Sequence, residues 1–389
     1  MKLAENDHSS PVPLGDRSVP LDGIRGIAIL LAVMYHVWQD VPALTQLDRA
    51  IEAATSFFWT GVDLFFVLSG FFITRILYNT RESPDYFRSF YARRMLRTWP
   101  LYYFALALVL GIPALFSHSL VESSPWWFVF HGSNYLTAFY SYPRRVVVHF
   151  WSLAIEEQFY LVWPLIRFLK SRERMMTLCA ALIVFAIALR AVLIYFLHAD
   201  SRLIYALTFT RLDSLAAGGL LGLWLVVPGD PARRRLFLAS LAAICIAVLT
   251  MGLTFEGGAI KYWSAFSQTL NYTAVAGVCA CLIGWSRTSQ PDAWLNRGLC
   301  WRPLPFLGKY SYSIYMFHIW FDAVGRGTKM HPATNPAWRL WGSTLPMIAY
   351  FLTILAVVCI WALITWNLIE RRFLALKDRF GYRAASARR

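Results

Sequence analysis

Long apolar runs separated by short basic loops set the pattern of this chain. Ten such runs stand out, at 21–38, 57–78, 99–116, 148–169, 175–197, 205–227, 236–254, 266–286, 306–325 and 344–369. About 20 apolar residues rise through the roughly 30 Å of a bilayer core as a helix, and many of these runs approach or exceed 18 residues. The pattern therefore predicts an all-α, polytopic integral membrane protein with about ten transmembrane helices. Segment 126–140 is apolar and aromatic but short. It predicts a re-entrant or interfacial helix and leaves an eleventh crossing open.

The polar stretches give the orientation. One alternating set, formed by the N-terminal tail, the loops 79–98, 170–174, 228–235 and 287–303 and the tail 370–389, carries 23 Lys and Arg. The other set, 39–56, 117–147, 198–204, 255–262 and 326–343, carries 8. Basic loops stay in the cytoplasm, which places both termini there and supports an even number of crossings. The expected layout is a cytoplasmic tail at 1–20, a membrane domain at 21–369 and a basic tail at 370–389 lying on the anionic leaflet. The N-terminal tail lacks a signal-peptide pattern, so the first span is expected to be retained.

Composition adds two exclusions. Charged residues make up 15% of the chain and hydrophobic ones 58%, against about 25% charged in soluble domains. A soluble enzyme is excluded. The net charge of +15 is scattered over short loops, so it reports topology, with no nucleic-acid partner implied. Five of the six cysteines fall in apolar runs and none forms a CxxC pair. They read as small buried residues, without a metal or disulfide framework.

Candidate chemistry lies in the ionisable residues at membrane depth, which are costly there and mark function by default. Arg25 and His36 are eleven residues apart, on one helix face and about 16 Å apart along the axis. Asp63, Glu156, Glu157, Arg211, Asp213 and His318 fall in other spans, several of them in the outer half. A histidine with a carboxylate at similar depth suits general-base catalysis, the carboxylate fixing the tautomer. Asp63 is the preferred partner of His36, with Asp40 as competitor. An ion pair such as Glu156 with Arg211 would lower the cost of both groups. Arg93, Arg94 and Arg97 at the cytoplasmic entrance to the third span, with Arg25 and Arg75 nearby by topology, form either a topology signal or a polyphosphate clamp. The Gly218–Gly219 pair predicts close helix packing or a local break.

Seven segments in order resemble one family: LDGIRGIAILLAVMYH, GVDLFFVLSGFFITR, FYARRMLRTWP, HFWSLAIEEQFYLVWP, RLDSLAAGG, LGKYSYSIYMFH and IERRF. Together they resemble the membrane-bound acyltransferase 3 family, over about residues 20–372. The resemblance implies ten spans and an acyl-CoA donor, such as acetyl-CoA, entering from the cytoplasm, without a permanently bound cofactor. It implies O-acylation of a cell-surface glycan or related glycoconjugate at the inner membrane. The family's Arg–His pair falls on Arg25 and His36, its Arg-x-x-Arg motif on Arg94 and Arg97, its second-span acid on Asp63, and its fourth-span stretch on Ser152, Glu156, Glu157, Phe159 and Tyr160. His36, Asp63, Glu156 and Glu157 are then the expected catalytic set, and Arg25, Arg75, Arg93, Arg94 and Arg97 the donor site. A form without the fused extracytoplasmic domain of some members is expected. The competing expectation is a transporter or flippase whose buried charges line a pathway.

Overall fold

The computed structural model describes residues 18–111, 124–140, 145–255, 263–335 and 343–382. Among these residues there are helices and no strands. Each of the ten expected runs is mainly helical where described; the third, expected to reach 116, is described to Gly111. Six helical stretches are by themselves long and apolar enough to cross a membrane: Val19–Trp38, Gln46–Asn79, Arg172–Phe196, Pro231–Phe255, Ser267–Thr288 and Thr344–Phe380.

In chain order the helices are α1 (Val19–Trp38), α2 (Gln46–Thr55), α3 (Thr60–Asn79), α4 (Tyr86–Gly111), α5 (Trp126–Val129), α6 (Ser133–Phe139), α7 (Phe150–Val162), α8 (Arg172–Ala191), α9 (Ser201–Ala206), α10 (Leu212–Trp224), α11 (Pro231–Phe255), α12 (Tyr272–Thr288), α13 (Trp294–Leu299), α14 (Pro303–Gly327), α15 (Thr344–Thr365) and α16 (Arg371–Ala375). Helices α4, α7, α10 and α14 miss the combined criteria of length and apolarity, and they carry ionisable motifs, as α1 and α3 do. Helices α1, α3 and α12 bury most of their apolar windows, whereas α8 and α11 bury only 17% of theirs. The latter two form the rim and present Phe185, Leu236 and Ile244 outward, where lipid solvates them as well as protein would.

Helix α1 is the central ruler, and α14 is its most extensive partner. The two backbones touch: a Cβ on Gly308 would sit 1.8 Å from the Asp22 carbonyl oxygen. Helices α3 and α10 meet in the same way, since a Cβ on Gly218 would lie 2.0 Å from the Val67 carbonyl oxygen. Of the two roles open to the Gly218–Gly219 pair, close packing is the one realised, and α10 runs through it unbroken. Pro100 interrupts the hydrogen bonding of α4 one turn beyond Arg97.

Segment 126–140 forms two short helices, with His131 between them at φ 52°. Seven residues of helix rise about 10 Å, too little for a crossing. Tyr102 and Tyr103 of α4 donate to the carbonyls of Phe128 and Val129, and Gln158 of α7 donates to the His131 carbonyl and to Asn134 Oδ1. The segment is thus pinned to the bundle. The described part of the C-terminal tail is held by protein as well. Arg371–Tyr382 packs back on α4, where Arg93 and Ser89 donate to the carbonyls of Lys377 and Gly381, so its polar backbone is satisfied by protein.

Candidate active site

The two ends of α1 enter different surroundings. At the end beside the basic loops lies a cavity of about 460 Å³. Six cations line it: Arg25 of α1, Arg93, Arg94 and Arg97 of α4, Lys309 of α14 and Lys377 beyond α16. Only two carboxylates, Asp22 and Glu370, share the lining. Asp22 is 3.0 Å from Arg25. The Arg94 guanidinium lies 3.6 Å above the Tyr160 ring, and Lys309 lies 4.9 Å from the Trp366 ring. Among the described residues, no carboxylate lies within 4.0 Å of Arg94, Arg97 or Lys377. An excess of cations in a partly buried site is stabilised when an anion joins it, and guanidinium forks match phosphate oxygens in pairs.

A smaller chamber of about 100 Å³ continues inward and shares Arg25, Phe72, Arg94, Arg97 and Tyr312 with the first. Glu156 and Glu157 line it. Glu156 accepts from Ser69 Oγ at 2.6 Å, Ser69 in turn accepts from Tyr160, and Glu157 accepts from the Trp99 indole at 3.1 Å. Ser152 and Tyr315 also line the chamber, their hydroxyls 2.7 Å apart. Apolar walls come from Val62, Phe65 and Phe66.

Beyond Tyr315 lie three imidazoles. The His318 ring is 5.5 Å from the Tyr315 ring, 5.5 Å from His149 and 5.0 Å from His36. Their carbonyl partners settle the tautomers, because a carbonyl oxygen only accepts. His318 Nδ1 donates to the Tyr315 carbonyl at 2.7 Å, which leaves Nε2 as an acceptor. His36 Nδ1 donates to the Ala32 carbonyl at 2.8 Å and faces His318 Nε2 at 3.2 Å. His36 Nε2 therefore keeps its lone pair, as a general base requires. His149 Nε2 donates to the Met316 carbonyl at 3.0 Å.

The far end of α1 is closed by two arginines and a neutral histidine, whose Nδ1 accepts from the Ala333 N–H. Arg145 donates to the His36 carbonyl, Arg326 to those of Val37 and Gln39, and His331 Nε2 to that of Val37. These contacts satisfy the last carbonyls of the helix and suit its negative end. The buried Asp322 binds both Arg145, at 3.0 Å, and Arg326, at 2.9 Å.

The expected contact between Asp63 and His36 is absent. Asp63 is fully buried against Arg211 Nη2 at 2.5 Å and Ser214 Oγ at 2.9 Å. Although α1 and α3 are neighbours, the acid sits on the face of α3 that meets α10. Arg211 also takes the place at Asp63 that the expected Glu156–Arg211 pair would have needed. Asp40 is no substitute: it leaves α1 at φ 64° and pairs with Arg145 and Arg326. The imidazole of His318 occupies the position expected of a carboxylate.

Residues 19–366 match the family described as acyltransferase domain, the acyltransferase 3 family. The chain belongs to that family. Among curated relatives of this acyltransferase family, it is 30% identical to the putative peptidoglycan O-acetyltransferase YrhL of Bacillus subtilis, covering 91% of this chain and 55% of the relative. It is 27% identical to the peptidoglycan O-acetyltransferase OatA of Listeria monocytogenes, covering 85% and 53%. For the O-acetyltransferase OatA of Staphylococcus aureus the identity is 29%, covering 77% and 49%. The chain spans about half the length of these relatives. No solved structure matches it.

Within this acyltransferase fold, the sequence-derived residues separate by place. Arg25, Arg93, Arg94 and Arg97 meet at the outer cavity, Glu156 and Glu157 line the inner chamber, and His36 lies beyond it. Arg75 lines neither cavity; its guanidinium lies 5.5 Å from the Phe71 ring. The sequence reading assigned no role to Lys309, Lys377 or His149. It placed His318 at the right depth without assigning it a partner.

Proposed function

We propose that this protein is an integral-membrane O-acetyltransferase of the cytoplasmic membrane. It moves acetyl from acetyl-CoA to a hydroxyl of a cell-envelope glycan, and the names of the relatives favour peptidoglycan. The observation that carries the reading is the cation-rich cavity joined to a narrow chamber that ends beside the histidine cluster. Arg94 and Arg97 would bind the donor's phosphates, with Arg25 and Arg93 beside them. The chamber would receive the end of the pantetheine arm, whose thioester would lie toward Ser152 and Tyr315.

Transfer forms a bond between the acceptor hydroxyl oxygen and the acetyl carbonyl carbon and breaks the carbon–sulfur bond. His36 Nε2 takes the hydroxyl proton, and the CoA thiolate leaves and is protonated. The charge on His36 is stabilised through Nδ1–H by the Ala32 carbonyl and the His318 lone pair. In the resting arrangement Ser152 Oγ donates to the His149 carbonyl and accepts from Tyr315, so the Tyr315 hydroxyl would have to turn from Ser152 to donate to the thioester oxygen as negative charge develops there. In a two-step variant His36 Nε2 accepts the acetyl group first and passes it to the hydroxyl.

The test is acetyl transfer from labelled acetyl-CoA to glycan fragments by purified protein. Replacing His36 with Ala should lower turnover by about 10²–10⁴-fold with the thermal melting curve unchanged. Near-normal turnover in His36→Ala would remove His36 from the reaction. Labelled protein trapped from wild type near neutral pH, discharged by acid or hydroxylamine and lost in His36→Ala, would select the two-step variant.

A further inference from the structure

The family match ends at residue 366, yet the outer cavity does not. Glu370, Leu374, Lys377 and Tyr382 all line it. The 3-10 turn Leu376–Phe380 carries Lys377, and α4 holds that turn in place. Arg93 Nη1 donates to the carbonyls of Lys377, at 2.9 Å, and Phe380, at 3.3 Å. Ser89 Oγ donates to the Gly381 carbonyl at 3.1 Å, and Tyr382 is 3% exposed. Arg93 is thus committed to backbone carbonyls, and its neighbours Arg94 and Arg97 sit on the same helix. The segment is therefore tied to the helix that carries the two arginines.

We infer that Leu376–Tyr382 is a wall of the donor site and that Lys377 is a ligand for the donor's phosphates. This rests on the acyl-CoA reading above. The Lys377 side chain lines the cavity without a carboxylate partner among the described residues. An ammonium in that position gains by meeting a phosphate oxygen. A diphosphate with a further phosphate on the ribose offers more oxygens than Arg94 and Arg97 alone can take. Arg93 then has an indirect role: it holds the turn that presents Lys377.

The experiment compares two donors on the purified full chain in nanodiscs: acetyl-CoA, and acetyl-pantetheine, which lacks the phosphates. For Lys377→Gln, the KM for acetyl-CoA should rise about tenfold, with kcat nearly unchanged. Activity with acetyl-pantetheine should be the same as in wild type. Lys377→Arg should keep most of the affinity. Arg93→Gln should weaken acetyl-CoA binding as well, by releasing the turn. If Lys377→Gln leaves the KM unchanged while Arg94→Gln raises it, the wall proposal is overturned and the donor reading stands. If both donors suffer equally in Lys377→Gln, the lysine is structural and the proposal is wrong. If neither substitution alters the KM, the donor reading fails together with the proposal.

Discussion

Arg211 and Arg94 are both arginines surrounded by apolar helices, and they have opposite settings. Arg211 is sealed, with Asp63 against one Nη atom and the Tyr272 ring 4.3 Å away. Its neighbour Arg190 is sealed too, bound to Asp213 at 2.9 Å and to the hydroxyl of Thr273 at 2.6 Å. The two pairs join α3, α8, α10 and α12, and their side chains have no exposure. Arg94 faces a cavity in which cations outnumber carboxylates six to two. A charge at membrane depth is thus not by itself a sign of function. The useful quantity is the local balance: matched charges hold helices together, and unmatched ones await a ligand.

The comparison breaks most visibly on the sealed side. Asp63→Asn or Arg211→Met should each leave an uncompensated buried group and cost about 3–5 kcal/mol. The expected result is a large fall in melting temperature and in the yield of folded protein in detergent. The double replacement Asp63→Leu with Arg211→Met should be more stable than either single variant, because no lone charge remains. If Asp63→Asn melts like wild type and loses only activity, Asp63 belongs to the chemistry and the division drawn between the two regions is wrong.

On the open side the effects should be reversed. Arg94→Gln should weaken acetyl-CoA binding by about ten- to a hundredfold, the range for a lost charge-assisted hydrogen bond. Melting temperature should hold or rise, because repulsion among the cations is relieved. The affinity should also become less sensitive to salt, since fewer charges meet the donor. Isothermal calorimetry at two ionic strengths checks both statements. Unchanged affinity in a folded variant would make the cluster a topology signal only.

The histidine cluster is a third case, buried and polar but uncharged by the hydrogen bonds described. His318→Phe removes the acceptor facing His36 Nδ1 while the Ala32 carbonyl remains. A drop in kcat of about tenfold is expected, with the KM for acetyl-CoA little changed, because His318 steadies the base and lies outside both cavities. A rise in KM with kcat intact would instead place His318 in donor binding.

The elements were legible because an apolar run of span length has few folded alternatives in lipid. Arg25 and His36 were legible for a similar reason: one helix sets their spacing and their shared face. What could not be read was the rotation of one helix against another. Asp63 has the right depth for His36 and the wrong face of α3, turned to α10 by the contact of Gly218 with the Val67 carbonyl. His318 was visible at similar depth, but hydrogen-bond chemistry between two imidazoles leaves no spacing signal across 282 residues. Lys377 was hidden for another reason. A basic tail after the last span has the composition of a membrane-surface segment, and only its packing on α4 shows that it belongs to a cavity.

Arg75 gives the smallest effect and the sharpest control. By topology it belongs with the basic cluster, one residue-type and one membrane face with Arg94. By position it is elsewhere: its side chain lies against Phe71 and beside Gly222 of α10, where a Cβ would meet Arg75 Cγ at 3.2 Å. If net positive charge on that face were enough to hold the donor, Arg75→Gln should weaken acetyl-CoA binding much as Arg94→Gln does. If the geometry of the cavity decides, the change should be less than about twofold, since a charge outside the cavity acts only through a screened field that fades over about 8–10 Å. Measuring the two variants side by side at physiological salt separates the explanations. Equal losses would mean that charge on that membrane face, and not the contact made in the cavity, governs donor capture.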